Sequence, residues 1–272
     1  METLDYLTYL AKLNTTHIHP FGKEATAVLI NHLDLQPGQR VLEIGCGTGE
    51  TMLMAAHNAD VCIVGIDRLP MMLCMAQRRL NLAKPESATH IGQASAIALP
   101  FAPQTFDRVY MESVLGFQSI TDAQTMLGQI RRVLKPGGIV VANEAIWKPE
   151  TTDVEAAAIF AACMRDFGIC QASEQAWDRN MWIRQMQAAG FDLLGSDLLT
   201  PEMMVSYPSA TRSSQVIAVS QQMTQTYHKR KWFSPRLLLQ TARYRRLMAQ
   251  HRTDGRSIES RLFILAKSAG QL

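Results

Sequence analysis

The 272-residue chain is 47% apolar and 19% charged, proportions that suit a folded globular protein with a sizeable core and exclude a disordered or fibrous one. No run approaches the roughly 18 uncharged apolar residues of a membrane span, METLDYLTYLAKLN lacks the make-up of a secretion signal, and five scattered cysteines form no CxxC pair; a cytoplasmic protein without disulfides or a metal site is expected. The net charge of +3 hides an asymmetry: from Arg212 onward there are 12 Lys and Arg against 2 Asp and Glu, and before it 15 against 22.

The spacing of Leu4, Leu7, Leu10 and Leu13 predicts a short amphipathic helix, and a second follows Pro20 with Ala25, Val28, Leu29 and Leu33 on one face. After a turn at Gln36–Gln39, an apolar strand runs from Arg40 to Ile44 into a glycine-rich bend, and a helix is expected from about Thr51 to Asn58. A buried strand over Val61–Ile66 ends at Asp67. Helical spacing continues through Met72, Ala76 and Leu80. Strands are expected at His90–Ile91 and Phe106–Met111, and a helix over Asp122–Val133. Lys135–Gly138 reads as a turn before the strand Ile139–Asn143, and a helical stretch from about Val154 to Ala189 precedes a strand at Gly190–Leu194. A basic, largely helical segment of some sixty residues then leads to the last strand, Arg261–Ala266. Strands alternating with helices imply a mainly parallel sheet covered on both faces. The expected organisation is an N-terminal helical cover (1–36), an α/β core (37–199) with a helical insertion at about 146–189, a basic helical lid (200–260), and the last core strand (261–272).

Chemistry concentrates in VLEIGCGTGE, residues 41–50, where a strand runs into Gly45-x-Gly47-x-Gly49 and then a helix. Glycines let the backbone take positive φ and approach a ligand closely. A pyrophosphate site needs GxGxxG; here the third glycine comes one residue early and Glu50 takes its place, a carboxylate expected to repel a diphosphate. Asp67, 20 residues past Gly47, can accept both hydroxyls of a ribose. Glu43 lies inside a strand, where a charge is costly unless something uses it. A nucleoside carrying an amino acid and a positive sulfonium, S-adenosylmethionine, satisfies all three features.

With VGIDRLPMML, QASAIALPFAPQTFDRVYMES and IRRVLKPGGIVVANE following in order, the chain resembles class I S-adenosylmethionine-dependent methyltransferases over roughly residues 17–145. HPFGKEATAVLI likewise resembles the segment before the sheet in small-molecule members. The resemblance implies a Rossmann-like α/β fold: a seven-stranded, mostly parallel sheet with an antiparallel last strand. It also implies that Gly45, Cys46, Gly47 and Gly49 line the methionine part of the cofactor with Glu43 holding it, that Asp67 binds the ribose and Arg68 stacks near the adenine. Ser95 stands where the family has an acidic residue for the adenine amine, so the amide of Ala96 is expected to share that recognition. Glu112 closes the fourth strand over the sulfonium, as cofactor contact and candidate base.

His17 is a second candidate base; the alternative reading of both is structural, Glu112 as a helix cap and His17 as a surface or capping group. Met-Glu-Ser at 111–113 resembles tocopherol-type methyltransferases, and a helical insertion before the last strand is similar to cyclopropane-synthase relatives, implying a quinone, terpenoid, polyketide or lipid acceptor methylated on carbon or oxygen. The basic stretches HKRKWF (228–233) and RYRRL (243–247) read as a solvated face, as a site for an anionic membrane or a phosphorylated substrate, or as an RNA surface, the last ranked lowest. An RNA methyltransferase, or a silent scaffold that only binds the cofactor, are the competing functions, and a homodimer is compatible with the sequence.

Overall fold

Strands apolar on both faces need cover on both, and the chain supplies it in alternation. The structure, a computed structural model, describes residues 5–170, 172–207, 214–251 and 254–268; Leu4 of the first helical pattern and Arg212 lie outside them. The helices α1 (Asp5–Lys12) and α2 (Gly22–Leu33) precede β1 (Arg40–Ile44), α3 (Glu50–Ala56), β2 (Cys62–Asp67), α4 (Pro70–Ala83) and β3 (Ala88–Gln93). Then come β4 (Phe106–Glu112), α5 (Ile120–Val133), β5 (Leu134–Trp147), α6 (Asp153–Phe167), α7 (Arg179–Ala188) and β6 (Phe191–Leu198). The chain continues through α8 (Pro201–Val205), α9 (Ser214–Arg230), α10 (Pro235–Gln250) and β7 (Ile258–Lys267). The sheet order is β3-β2-β1-β4-β5-β7-β6. Paired strands run parallel except that β7 is antiparallel to both neighbours.

The period of two along each strand divides the core. Leu42, Ile44, Val109, Met111, Val140 and Ala142 face one side, against Met126, Leu127 and Ile130 of α5 and Trp182 and Met186 of α7. Val41, Tyr110 and Val141 face the other, against Val28, Leu29 and Leu33 of α2 and Met52 and Leu53 of α3. The 3.6-residue spacing of Met126, Leu127 and Ile130 puts them on one stripe of α5, whose first turn is capped by Ser119 accepting from the Asp122 amide. Burying each such side chain contributes about 1.5–3 kcal/mol.

Three expectations are corrected. Residues 135–138 are not a separate turn. They bulge within β5, because Phe106 pairs with Leu134 while Arg108 pairs with Ile139, and Gly137 takes φ +71° to absorb the extra residues. The 154–189 stretch is two helices, since Gly168 ends α6 in the left-handed conformation. The described residues of the basic segment do not line the cavity as a lid: α9 packs on α4 through Met223 and Tyr227 against Met75, and α10 packs on α1 through Tyr244 and Thr241 against Tyr9. Among the described residues no helix is long and apolar enough to cross a membrane.

Candidate active site

Strand order reverses between β1 and β4, and the crevice at the carboxyl ends of the strands there is where open α/β sheets bind ligands. A cavity of about 350 Å³ opens at that point. Its floor comes from the ends of β1, β2 and β4, and its cover from α1, the segment 15–19 and the C-terminal end of α6.

Gly45 and Gly47 hold the bend open. Both have positive φ; a Cβ on Gly45 would press on Val114, whereas one on Gly47 would project into open space. The Gly45 and Cys46 amides both donate to Ile66 O, at 2.8 and 2.9 Å, which ties the bend to β2. Gly49 is a correction: it does not line the cavity. Its Cβ would meet Ala76 at 2.9 Å, so its absence lets α3 and α4 approach.

Carboxylates dominate the lining. Asp67 accepts from the Gly47 amide at 3.0 Å and the Leu69 amide at 2.8 Å, and burial raises its pKa against these bonds. Glu43 is buried, accepts from Tyr110 Oη at 2.9 Å, and is pushed well above the usual carboxylate range by burial. Burial likewise pushes the Cys46 thiol well up, which suits packing and not nucleophilic attack. Arg68 is exposed at the rim, and Ser95 and Ala96 line the wall beside it.

The role given to Glu50 needs correction. It lines the cavity but is paired with Arg79 of α4 and accepts from Ser220 of α9. Arg79 is fully buried and also donates to Thr48 O at 2.8 Å and Asn14 Oδ1 at 3.0 Å. Glu50 is therefore compensated, and its charge is not free to repel a diphosphate.

Glu112 and His17 come together. Glu112 accepts from Thr51 Oγ1 at 2.7 Å and Thr26 Oγ1 at 2.9 Å, and pairs with His19 Nε2 at 3.1 Å. His17 Nδ1 lies 3.1 Å from Thr26 Oγ1. Burial lowers the His17 pKa, against the nearby charges of Glu112 and Glu50. Sequence reasoning missed Thr26, Thr51, Arg79 and Asn143; the available signal was a polar residue on an otherwise apolar helix face or strand. It also missed Thr15, whose Oγ1 is buried without a partner at the cavity wall, as is Ser113 Oγ.

The lining fits a ligand of net positive charge. Glu43, Asp67 and Glu112 present three carboxylates, and the described partners of Glu43 include no cation. Such a fold and site define an α/β protein with a carboxylate-lined cleft at the switch point of its sheet. A family profile described as a methyltransferase domain matches residues 41–138. The chain is 31% identical over 205 residues to an uncharacterized methyltransferase, YodH, of Bacillus subtilis, covering 75% of this chain and 82% of that one. It is 36% identical over 107 residues to a demethylmenaquinone methyltransferase of Thermus thermophilus, covering 39% of this chain and 47% of the relative. The solved structure of Haemonchus contortus phosphoethanolamine N-methyltransferase 2 with S-adenosyl-L-methionine superposes with a TM-score of 0.67 at 17% identity, over 99% of this chain and 58% of that one. For several curated relatives the matched region spans only about half of their length. The chain belongs to the class I S-adenosylmethionine-dependent methyltransferases, and its cofactor is S-adenosylmethionine.

Proposed function

We propose that this methyltransferase acts on a small apolar or amphipathic acceptor, at oxygen or carbon. The observation that carries the reading is the cavity itself: three carboxylates on the sheet side and apolar cover from Leu7, Ile18, Phe117, Met164 and Ile169 on the other. Within it, Glu43 holds the cofactor's ammonium group, and Gly45, Cys46 and Gly47 line its methionine part. Asp67, fixed by two backbone amides, keeps a lone pair on each oxygen for the ribose hydroxyls. Arg68, Ser95 and Ala96 border the adenine. When bound, the cofactor supplies a methyl group on a positively charged sulfur, so the chain's task is alignment, exclusion of water and removal of a proton. Likeness to a demethylmenaquinone methyltransferase supports a quinol-like acceptor. The test is transfer of labelled methyl from S-adenosylmethionine to a naphthoquinol probe, with Asp67→Ala as control; methylation of an RNA transcript instead would replace this reading.

The basic segment supports a docking role beside the cavity. Between Glu202 and Asp254 the sequence has nine Lys and Arg and no acid. Trp232 and Phe233 are 68% and 88% exposed where α9 passes into α10. Cations beside exposed aromatics suit an anionic lipid surface, from which an apolar acceptor would be drawn.

A further inference from the structure

One hydroxyl group decides which nitrogen of His17 is free. Thr26 is fully buried on the inner face of α2. Its Oγ1 lies 2.9 Å from Glu112 Oε2, 3.1 Å from His17 Nδ1 and 3.2 Å from His19 Nε2. A hydroxyl has one proton to donate and two lone pairs, while a carboxylate only accepts. Thr26 therefore donates to Glu112, and both histidine nitrogens facing Thr26 must be donors. His17 carries its proton on Nδ1 and His19 on Nε2.

The other nitrogen of His19, Nδ1, lies between an acceptor, Pro20 O at 3.2 Å, and a donor, the Asn143 amide nitrogen at 3.3 Å, so the donor role of Nε2 rests on Glu112 Oε2, 3.1 Å away. The orientation of that amide is fixed from both ends, because Ser260 Oγ donates to Asn143 Oδ1 at 3.1 Å and Asn143 Nδ2 lies 3.5 Å from Glu112 Oε2.

With Nδ1 committed, neutral His17 has a bare Nε2, to which no described residue bonds, on a ring that lines the cavity. We propose that His17 Nε2 is the base that deprotonates the acceptor, that Thr26 is the positioning residue fixing its tautomer, and that the acceptor is a phenol or enol. This rests on the methyl-transfer reading above. Glu112 is engaged by Thr26, Thr51, His19 and Asn143, and serves to orient the donors and not to take the proton. His17 itself sits at φ +51°, a left-handed conformation that persists where its surroundings enforce it.

The groups facing His17 set its charge. Burial holds its pKa below the ordinary imidazole range; Glu112 on β4 and Glu50 on α3 oppose this, while His19 and Arg79 on α4 add to it. The ring is thus unprotonated at neutral pH. A neutral imidazole, whose ordinary pKa is about 6.5, is better matched to a phenolic proton, with a pKa of about 10 as in tyrosine, than to the far less acidic proton of an aliphatic alcohol. As the acceptor oxygen bonds to the methyl carbon, its proton passes to Nε2 and the electron pair of the breaking carbon–sulfur bond stays on sulfur. The products are the methyl ether, S-adenosylhomocysteine and an imidazolium that releases its proton to solvent.

The test uses the full chain labelled with ¹⁵N-histidine and saturated with S-adenosylhomocysteine. Proton–nitrogen correlation reads each imidazole nitrogen, and His17→Gln assigns the signals. The expected result is His17 protonated on Nδ1 only, retained in Thr26→Ser and shifted toward the Nε2–H form in Thr26→Val. A wild-type His17 protonated on Nε2, or a tautomer that Thr26→Val leaves unchanged, overturns the proposal. With 1,4-dihydroxynaphthalene as the phenolic probe, Thr26→Val and His17→Gln should lower kcat by about 100-fold, a usual size for general-base catalysis, and His17→Gln should erase the rising limb of the pH profile. An unchanged rate and profile in His17→Gln, or turnover of a simple alkylamine but not of the phenol, also overturns it. Calorimetry separates the two levels: failure of the wild type to bind S-adenosylhomocysteine sinks the methyl-transfer reading, whereas intact binding with the wrong tautomer sinks only this one.

Discussion

Glu144 on β5 gives the sharpest stability prediction. It is buried at 2% exposure and accepts from the amides of Val114, Leu115 and Gly116 at 3.1, 3.2 and 3.3 Å, which pins the loop carrying Val114, Phe117 and Gln118 to the cavity wall. Burial outweighs these three bonds, and Glu112 adds repulsion, so its pKa is pushed from 4.5 up to about 7. A folded-state pKa above the unfolded value means that the native state binds the proton more tightly. The stabilisation is complete below about pH 4.5 and is lost as pH rises through about 7. A shift of that size corresponds to roughly 3 kcal/mol between the two limits. Glu144→Gln keeps an acceptor oxygen and removes the titration. Urea unfolding of both proteins from pH 4.5 to 8 should show the variant gaining about 3 kcal/mol on the wild type across that interval. A difference that stays flat, or that favours the wild type at high pH, would refute the reasoning.

Further outcomes follow from individual contacts. Gly49→Ala should destabilise the fold by about 1–3 kcal/mol or more, because the new Cβ meets Ala76 at a positive φ; Gly47→Ala should fold with a cost of about 1–2 kcal/mol yet lose S-adenosylhomocysteine binding in calorimetry. Asp67→Ala should weaken cofactor binding by about 1–3 kcal/mol, and unchanged affinity would remove Asp67 from the site. Arg79→Met should cost about 3–5 kcal/mol in denaturant unfolding by leaving Glu50 uncompensated. Vesicles containing anionic phosphatidylglycerol should sediment the protein at low salt, less so with Trp232→Ala and Phe233→Ala; binding to RNA with indifference to vesicles would reassign the basic segment.

The parts legible in the sequence are those that a local constraint writes into adjacent residues. The glycine bend needs positive φ within three alternate positions, Asp67 must end its strand, and the strand and helix periods each show over a single element. Their placement followed because parallel pairing and crossover connections leave few arrangements. What the sequence hid depends on partners far apart. Thr26 reaches Glu112 across 86 positions, and Arg79 reaches Asn14 across 65. Glu50 read alone is a repelling carboxylate; only the packing of α4 against the bend shows that a buried guanidinium neutralises it. Gly49 read as a cofactor contact for the same reason, since a close approach of two helices and a close approach of a ligand ask for the same residue. The basic helices were legible as helices, but their period does not say which neighbour they cover.

Titration calorimetry with S-adenosylhomocysteine tests the central claim most directly, namely that the bend between β1 and α3 holds a cationic amino-acid nucleoside among Glu43, Asp67 and Glu112. The expected result is one site per chain, weakened by Asp67→Ala, with S-adenosylmethionine bound as well and NAD giving no heat. Uptake of NAD, together with indifference to both sulfur nucleosides, would contradict it.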